Sequence, residues 1–282
     1  MSLSQSMQPE SYQRQLGRSL IVYGSTFFHV ILLSLLISII AFIPRLASIY
    51  SGDVYFANNL AIDNPQRLWL ILIDLINLIF FTAMFWRIRC SITGTRDTLF
   101  TDIKMAVKKF PYILVAGILQ NIIFGLCVIA FYIGAYYWIS YGQHTFNPNS
   151  LSNDLVLTFV FLAPFVCFLY VYFEFYFYLP LILIENKGVL SALKKSVSLV
   201  WGNWWRVVCL QLTPWLTYLL CLLIIKYGLN INIHIYFTHS TDPNTLLTTC
   251  FHIILFAIFL PWVAATLLVQ LRNLEVIKQK FF

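Results

Sequence analysis

The chain has 282 residues, 60% apolar and 10% charged, with a net charge of +7 at neutral pH and a mean hydropathy of +0.80. Soluble domains average about 45–50% apolar and about 25% charged residues, so this composition excludes a soluble enzyme, a nucleic-acid binder and a disordered tail. What remains is an all-α polytopic membrane protein. Its basic excess sits in short loops beside apolar runs, where lipid phosphate is the simpler counter-ion.

Residues 1–19 are polar and are expected to form an N-terminal cytoplasmic segment. A secretory leader would have a short apolar core and a small-residue cleavage site. Leu20–Ile43 instead has spanning length and ends at Pro44-Arg45, so it reads as an uncleaved first span. Five more segments match the roughly 20 helical residues that cross a bilayer of about 30 Å: Leu68–Trp86, Pro111–Ile139, Leu155–Ile184, Val207–Tyr227 and Leu247–Leu271. Helices follow because each run must satisfy its own backbone in lipid, and a barrel would show short alternating segments. The expected domain is thus one six-helix unit over 20–271, followed by a cytoplasmic tail, 272–282.

Orientation follows from lysine and arginine. Of the 18 such residues, all but Arg45, Arg67 and Lys226 fall in the N-terminus, the loops 87–110 and 185–206, or the C-terminus. Both termini are therefore expected in the cytoplasm, and the even span count agrees. Trp138, Trp201, Trp204, Trp205 and Trp262 lie near span ends, where indoles favour the interface.

The two long basic loops share a pattern. Segment 97–110 has apolar residues at 99, 103, 106 and 110, with Asp102, Lys104 and Lys108 opposite. Segment 188–201 has them at 190, 193, 197 and 200, with Ser191, Lys194, Lys195 and Ser198 opposite. Each is expected as an amphipathic interfacial helix, apolar side down. The second would begin near Asn186 or Lys187-Gly188 and end at Gly202-Asn203, and Pro111 suits the first turn of the helix after the first. These helices would join three two-span units, by duplication or because the same physics shapes both loops.

Six cysteines (Cys90, Cys127, Cys167, Cys209, Cys221, Cys250) show neither CxxC nor Cys/His ligand spacing. They read as small apolar fillers without a disulfide, and no metal or other cofactor is expected.

Residues 179–206 carry Pro180, an apolar stretch, Glu185, Gly188, then Ala192-Leu193-Lys194-Lys195-Ser196 and Gly202-Asn203-Trp204-Trp205-Arg206. This stretch resembles the six-span bacterial inner-membrane families grouped around the YciC-like proteins. It is also similar to the membrane domain that precedes some glycerophosphodiester phosphodiesterases. The resemblance implies an envelope or lipid-related setting and transfers no catalytic residue, because the phosphodiester chemistry belongs to a separate soluble domain.

Ionisable groups inside a bilayer are costly and so are functional candidates. Asp74 lies in the second span, near Asn77, and Glu174 lies in the aromatic run 170–178 of the fourth. Each reads as a proton or cation relay or a headgroup site, or else as a carboxylate that is neutral or hydrogen-bonded to tyrosines, histidine or a nearby arginine. His29, His252, Gln120, Asn121 and Gln211 read first as interhelical hydrogen bonders. Lys108, Lys109, Lys194, Lys195 and Arg206 express positive-inside bias or hold anionic lipid headgroups.

No GxSxG, HExxH or phosphate-binding glycine loop occurs, and a Ser25/His29 pair at helical spacing has almost no specificity. The leading expectation is a non-catalytic accessory or scaffold in envelope or lipid homeostasis, contacting anionic lipids and a membrane-protein partner but no nucleic acid. The alternatives are a transporter or permease using Asp74 or Glu174, and an intramembrane lipid-processing enzyme.

Overall fold

A computed structural model describes residues 10–51, 65–95, 98–141, 162–163, 166–228 and 244–280. Among them the named elements are seven α-helices: α1 (Tyr12–Ser51), α2 (Pro65–Thr93), α3 (Leu99–Tyr141), α4 (Tyr178–Ile184), α5 (Val189–Val200), α6 (Trp204–Leu223) and α7 (Asn244–Lys280). A π turn, Ile224–Gly228, closes α6, and residues 166–174 are helical ahead of α4.

Among the described residues, six stretches are long and apolar enough to cross a bilayer: Tyr12–Ala47, Leu68–Thr93, Leu99–Gly134, Val166–Ile184, Trp204–Gly228 and Leu246–Gln279. The protein is a multi-pass helical membrane protein. Part of the expected fourth span, 155–161 and 164–165, lies outside the described residues, as does the segment containing Arg96.

Helix ends depart from expectation where polar residues find partners. α1 starts at Tyr12 rather than Leu20 because Gln15 and Ser19 are fully buried. The Gln15 amide donates to the Glu10 carbonyl, and Ser19 Oγ donates to the Leu16 carbonyl. The expected helix 97–110 is helical but not separate: α3 runs from Thr98, whose hydroxyl accepts from the Thr101 amide, straight through Pro111. A helical proline removes one backbone bond, which does not interrupt this helix. α7 likewise continues through the expected tail to Lys280.

The helices group into two compact units rather than three two-span pairs. One holds the chain through Phe110 and from Trp205 onward. Its centre is α7, hydrophobic around most of its circumference and buried from Leu260 through Leu271, as expected of a helix surrounded by protein. α1 packs along α7, and α2 packs against α1. The α1–α7 pair is antiparallel: Glu10 N donates to Asn273 Oδ1, Trp262 Nε1 to Ser19 Oγ, and Ser34 Oγ to the Ala257 carbonyl, and Phe42 stacks on His252. Trp262 thus lies 8% exposed in the interior, contrary to the interfacial expectation, because its indole N–H has a buried acceptor.

The second unit spans Pro111–Trp204 and contains the rest of α3, residues 166–174, α4 and α5. An ideal Cβ at Gly117 would sit 3.4 Å from the Tyr178 hydroxyl, and Phe124 meets Phe168 edge-on at 4.7 Å. α5 packs on α4.

Candidate functional site

The fourth span is not one helix. Residues 166–174 are helical, 175–177 form a turn, and α4 resumes at Tyr178. Pro180 has no N–H to give the Tyr176 carbonyl, and its ring crowds that carbonyl, so a straight helix through 176 is disfavoured. The local ladder tightens instead: Tyr176 N bonds to Phe173 O at 3.2 Å and Tyr178 N to Phe175 O at 3.1 Å, each three residues back.

The two backbone groups freed by this tightening are taken by one side chain from α5. Ser196 Oγ accepts from Phe177 N at 3.1 Å and donates to the Glu174 carbonyl at 2.8 Å. A side chain inserted into the helical ladder is a recognised cause of a break. Buried amide and carbonyl groups must be paired, so Ser196 completes the turn.

α5 is placed to do this by its sequence. Ala192, Leu193, Ser196, Leu199 and Val200 form its buried face, at helical spacing. Asn186, with φ 53°, turns the chain out of α4, and Gly202, with φ 84°, turns it after α5. The left-handed region suits glycine, and asparagine tolerates it. Lys195 Nζ donates to both Glu185 oxygens at 2.8 Å, tying α5 to the end of α4. The face differs from the expected stripe: Leu193 and Val200 are buried in protein, but Leu190 is 66% exposed. The serine, not a fourth large apolar residue, is the central contact.

Glu174 lies at the end of the first half-helix and is 5% exposed. Neither carboxylate oxygen makes a hydrogen bond of standard geometry. The Tyr170 hydroxyl, one turn earlier, is close enough to interact. Aromatic rings surround the break: Tyr170 stacks on Trp204 at 5.8 Å, Phe173 meets Trp204 edge-on at 6.1 Å, and Tyr172 and Tyr176 lie 5.4 Å apart. In sequence, Glu174 is the one Asp, Glu, Lys, Arg or His within 111–141 and 166–184. Its own spans therefore supply no basic counter-ion.

The other candidates fall elsewhere. Asp74 is exposed on α2. His29 is exposed too, and it contributes only its carbonyl, which accepts from Arg87 Nε at 2.9 Å. Ser25 Oγ bonds to the Val22 carbonyl, not to His29. His252 is buried and bridges helices, its Nδ1 2.6 Å from the Tyr218 hydroxyl. Gln211 Nε2 donates to Gln270 Oε1 at 2.8 Å, and Gln270 Nε2 donates to the Arg206 carbonyl. Gln120 is half-buried, and Asn121 bonds back to the Gly117 carbonyl. Lys108 and Lys194 are exposed, Lys109 is half-buried, and Lys195 is engaged by Glu185. No disulfide joins any of the six cysteines. Cys90 is buried within α2 rather than in a loop.

Two features escaped sequence reasoning. Asp102, expected on the polar face, is fully buried and accepts from Arg87 Nη1 at 2.7 Å. Ser196 looked like one more polar residue among lysines. Its signal was its position, i−3 from Leu199 and i+3 from Leu193, inside an otherwise apolar face.

Residues 108–260, more than half of the chain, match a domain of unknown function, DUF7847. The chain belongs to that family. No curated protein and no solved structure matches it. The matched region contains the broken span, Glu174 and all of α5.

Proposed function

We propose that the protein is a non-catalytic accessory or scaffold of the bacterial inner membrane, acting in envelope or lipid homeostasis with both termini in the cytoplasm. The observation that carries this reading is the placement of α5. Its inner face is spent on its own unit, while Leu190, Ser191, Lys194 and Ser198 are exposed and Trp201, just beyond it, is 64% exposed. Lysine beside exposed leucine and tryptophan is the chemistry of a helix at anionic headgroups. Lys108 and Lys109, in the other basic segment, offer the same contact, and Arg206 lies within electrostatic reach of Glu10. The resemblance of residues 179–206 to YciC-like proteins agrees with this setting.

The test is retention of anionic lipid by protein extracted in mild detergent, read by native mass spectrometry. A basic residue near an anionic surface contributes about 1 kcal/mol, about fivefold in affinity. Lys194→Glu should therefore lose anionic lipid adducts and keep zwitterionic ones. Unchanged retention would remove the headgroup role. Reporter fusions at the two ends test the orientation, which the distribution of lysine and arginine supports.

A second reading, a transporter or permease for a small or lipid-like substrate, is favoured by one observation. The fourth span is interrupted beside a buried carboxylate, the form that ion-coupled carriers use for their sites. Between the two acidic candidates, Glu174 rather than Asp74 occupies such a position.

A further inference from the structure

We infer that the break in the fourth span is a binding site for a small cation, with Glu174 as its ligand and Ser196 of α5 as the clamp that holds it open. The site requires only the break and the carboxylate, and it stands whether or not the protein moves a substrate.

Three observations converge. First, Glu174 is 5% exposed and neither of its oxygens has a hydrogen bond of standard geometry. An ionised carboxylate in that condition is too costly to persist in an apolar medium. It must take up a proton or a metal cation. Second, Glu174 ends a half-helix. The C-terminal end of a helix carries partial negative charge from its carbonyls. That end repels an anionic side chain and attracts a cation, so backbone and carboxylate select the same ligand. Third, the described residues of the elements around Glu174 offer no internal substitute. On the same span the Tyr170 hydroxyl is the group that interacts with it, and Tyr178 abuts α3 at Gly117. α3 brings no charged residue between 111 and 141. α5 brings Lys195, held by Glu185, and Lys194, which is exposed. A positive charge for Glu174 therefore comes from outside these elements.

Position within the span suits this role. Glu174 lies eight positions after Val166 and ten before Ile184, near the middle of the span, which places the carboxylate well inside the apolar layer. Ser196 makes the site dependent on α5. Its hydroxyl occupies the Glu174 carbonyl and the Phe177 amide, so the half-helix cannot close over the carboxylate while α5 is docked.

The ligand chemistry is a monovalent cation balancing one carboxylate, supplied as a proton or as an alkali ion. Dicyclohexylcarbodiimide distinguishes them, because it modifies protonated carboxyl groups in apolar surroundings and a bound metal ion blocks it. The wild-type chain in native membranes is treated at several pH values, with and without sodium or potassium chloride, and the modified residue is located by peptide mass spectrometry. Modification at Glu174 that falls with rising pH alone identifies the proton. Modification at Glu174 suppressed by one alkali ion at constant pH, with choline chloride as the ionic-strength control, identifies that ion. Either result supports the site. Ser196→Ala, which leaves the carboxyl in place, should change the rate of modification at Glu174 relative to wild type. Absence of modification at Glu174 across the whole pH range, or a rate unaffected by pH and by every cation, overturns the inference. An unchanged rate in Ser196→Ala overturns the clamp.

Discussion

Arg87 Nη1 donates to Asp102 Oδ2 at 2.7 Å, and Arg87 Nε donates to the His29 carbonyl at 2.9 Å. One guanidinium thereby joins α2 to the first turn of α3 and to the middle of α1. Asp102 is fully buried, at a helix N-terminus where the backbone dipole favours a negative charge.

Removing one member of such a pair strands the other. Asp102→Ala is expected to destabilise the protein by about 3–5 kcal/mol. Replacing both residues with apolar side chains, Arg87→Met with Asp102→Leu, should recover most of the loss. Reversible unfolding in detergent micelles, followed by circular dichroism, measures both. A single variant as stable as wild type would show that the pair carries no weight.

Ser196→Ala leaves the Phe177 amide and the Glu174 carbonyl buried without their partner. The expected cost is about 1–3 kcal/mol, and it should be local. Hydrogen exchange of peptides covering 174–178 should accelerate, with exchange in α7 unchanged. Ser196→Cys should be intermediate, since sulfur is a weaker donor and acceptor.

Gln211 and Gln270 form a direct bond between α6 and α7. Side-chain hydrogen bonds between membrane helices average about 0.6 kcal/mol and reach about 1.7. A double-mutant cycle with leucine at each position should give a coupling in that range. A coupling of zero would mean that the glutamines are packed rather than bonded.

The two faces of α5 separate by labelling. In membranes opened to both sides, cysteine at 190 or 194 should react with a polar or amphiphilic maleimide. Cysteine at 193 or 199 should not, since Leu193 is 5% and Leu199 is 2% exposed. Equal reactivity at all four would mean that α5 does not dock on α4.

Much of the architecture was written in hydropathy. Runs of apolar residues located the six spans, and their flanking cations separated loops of two kinds. Helix ends were less readable, because Gln15, Ser19 and Asn273 look like loop residues until their partners, more than 240 positions away in the cases of Ser19 and Asn273, are known. Periodicity found the amphipathic character of α5 but misplaced its face by one residue step, since a serine counted as polar supplies the central contact. Glu174 was visible as a charge in an apolar run. The break beside it was not, because it depends jointly on Pro180 and on a hydroxyl delivered by a later helix.

The dominance of α7 has a consequence for how the protein is made. Ser34 and Ser19 on the entering helix, and Glu10 just before it, find long-range acceptors or donors 223 to 263 residues downstream. Until the ribosome has delivered that stretch, the first segment threaded into lipid has only its local bonds, such as Ser19 Oγ to the Leu16 carbonyl, and its hydropathy to hold it. A chain stalled before α7 should be a substrate for quality-control proteolysis rather than a partly working product.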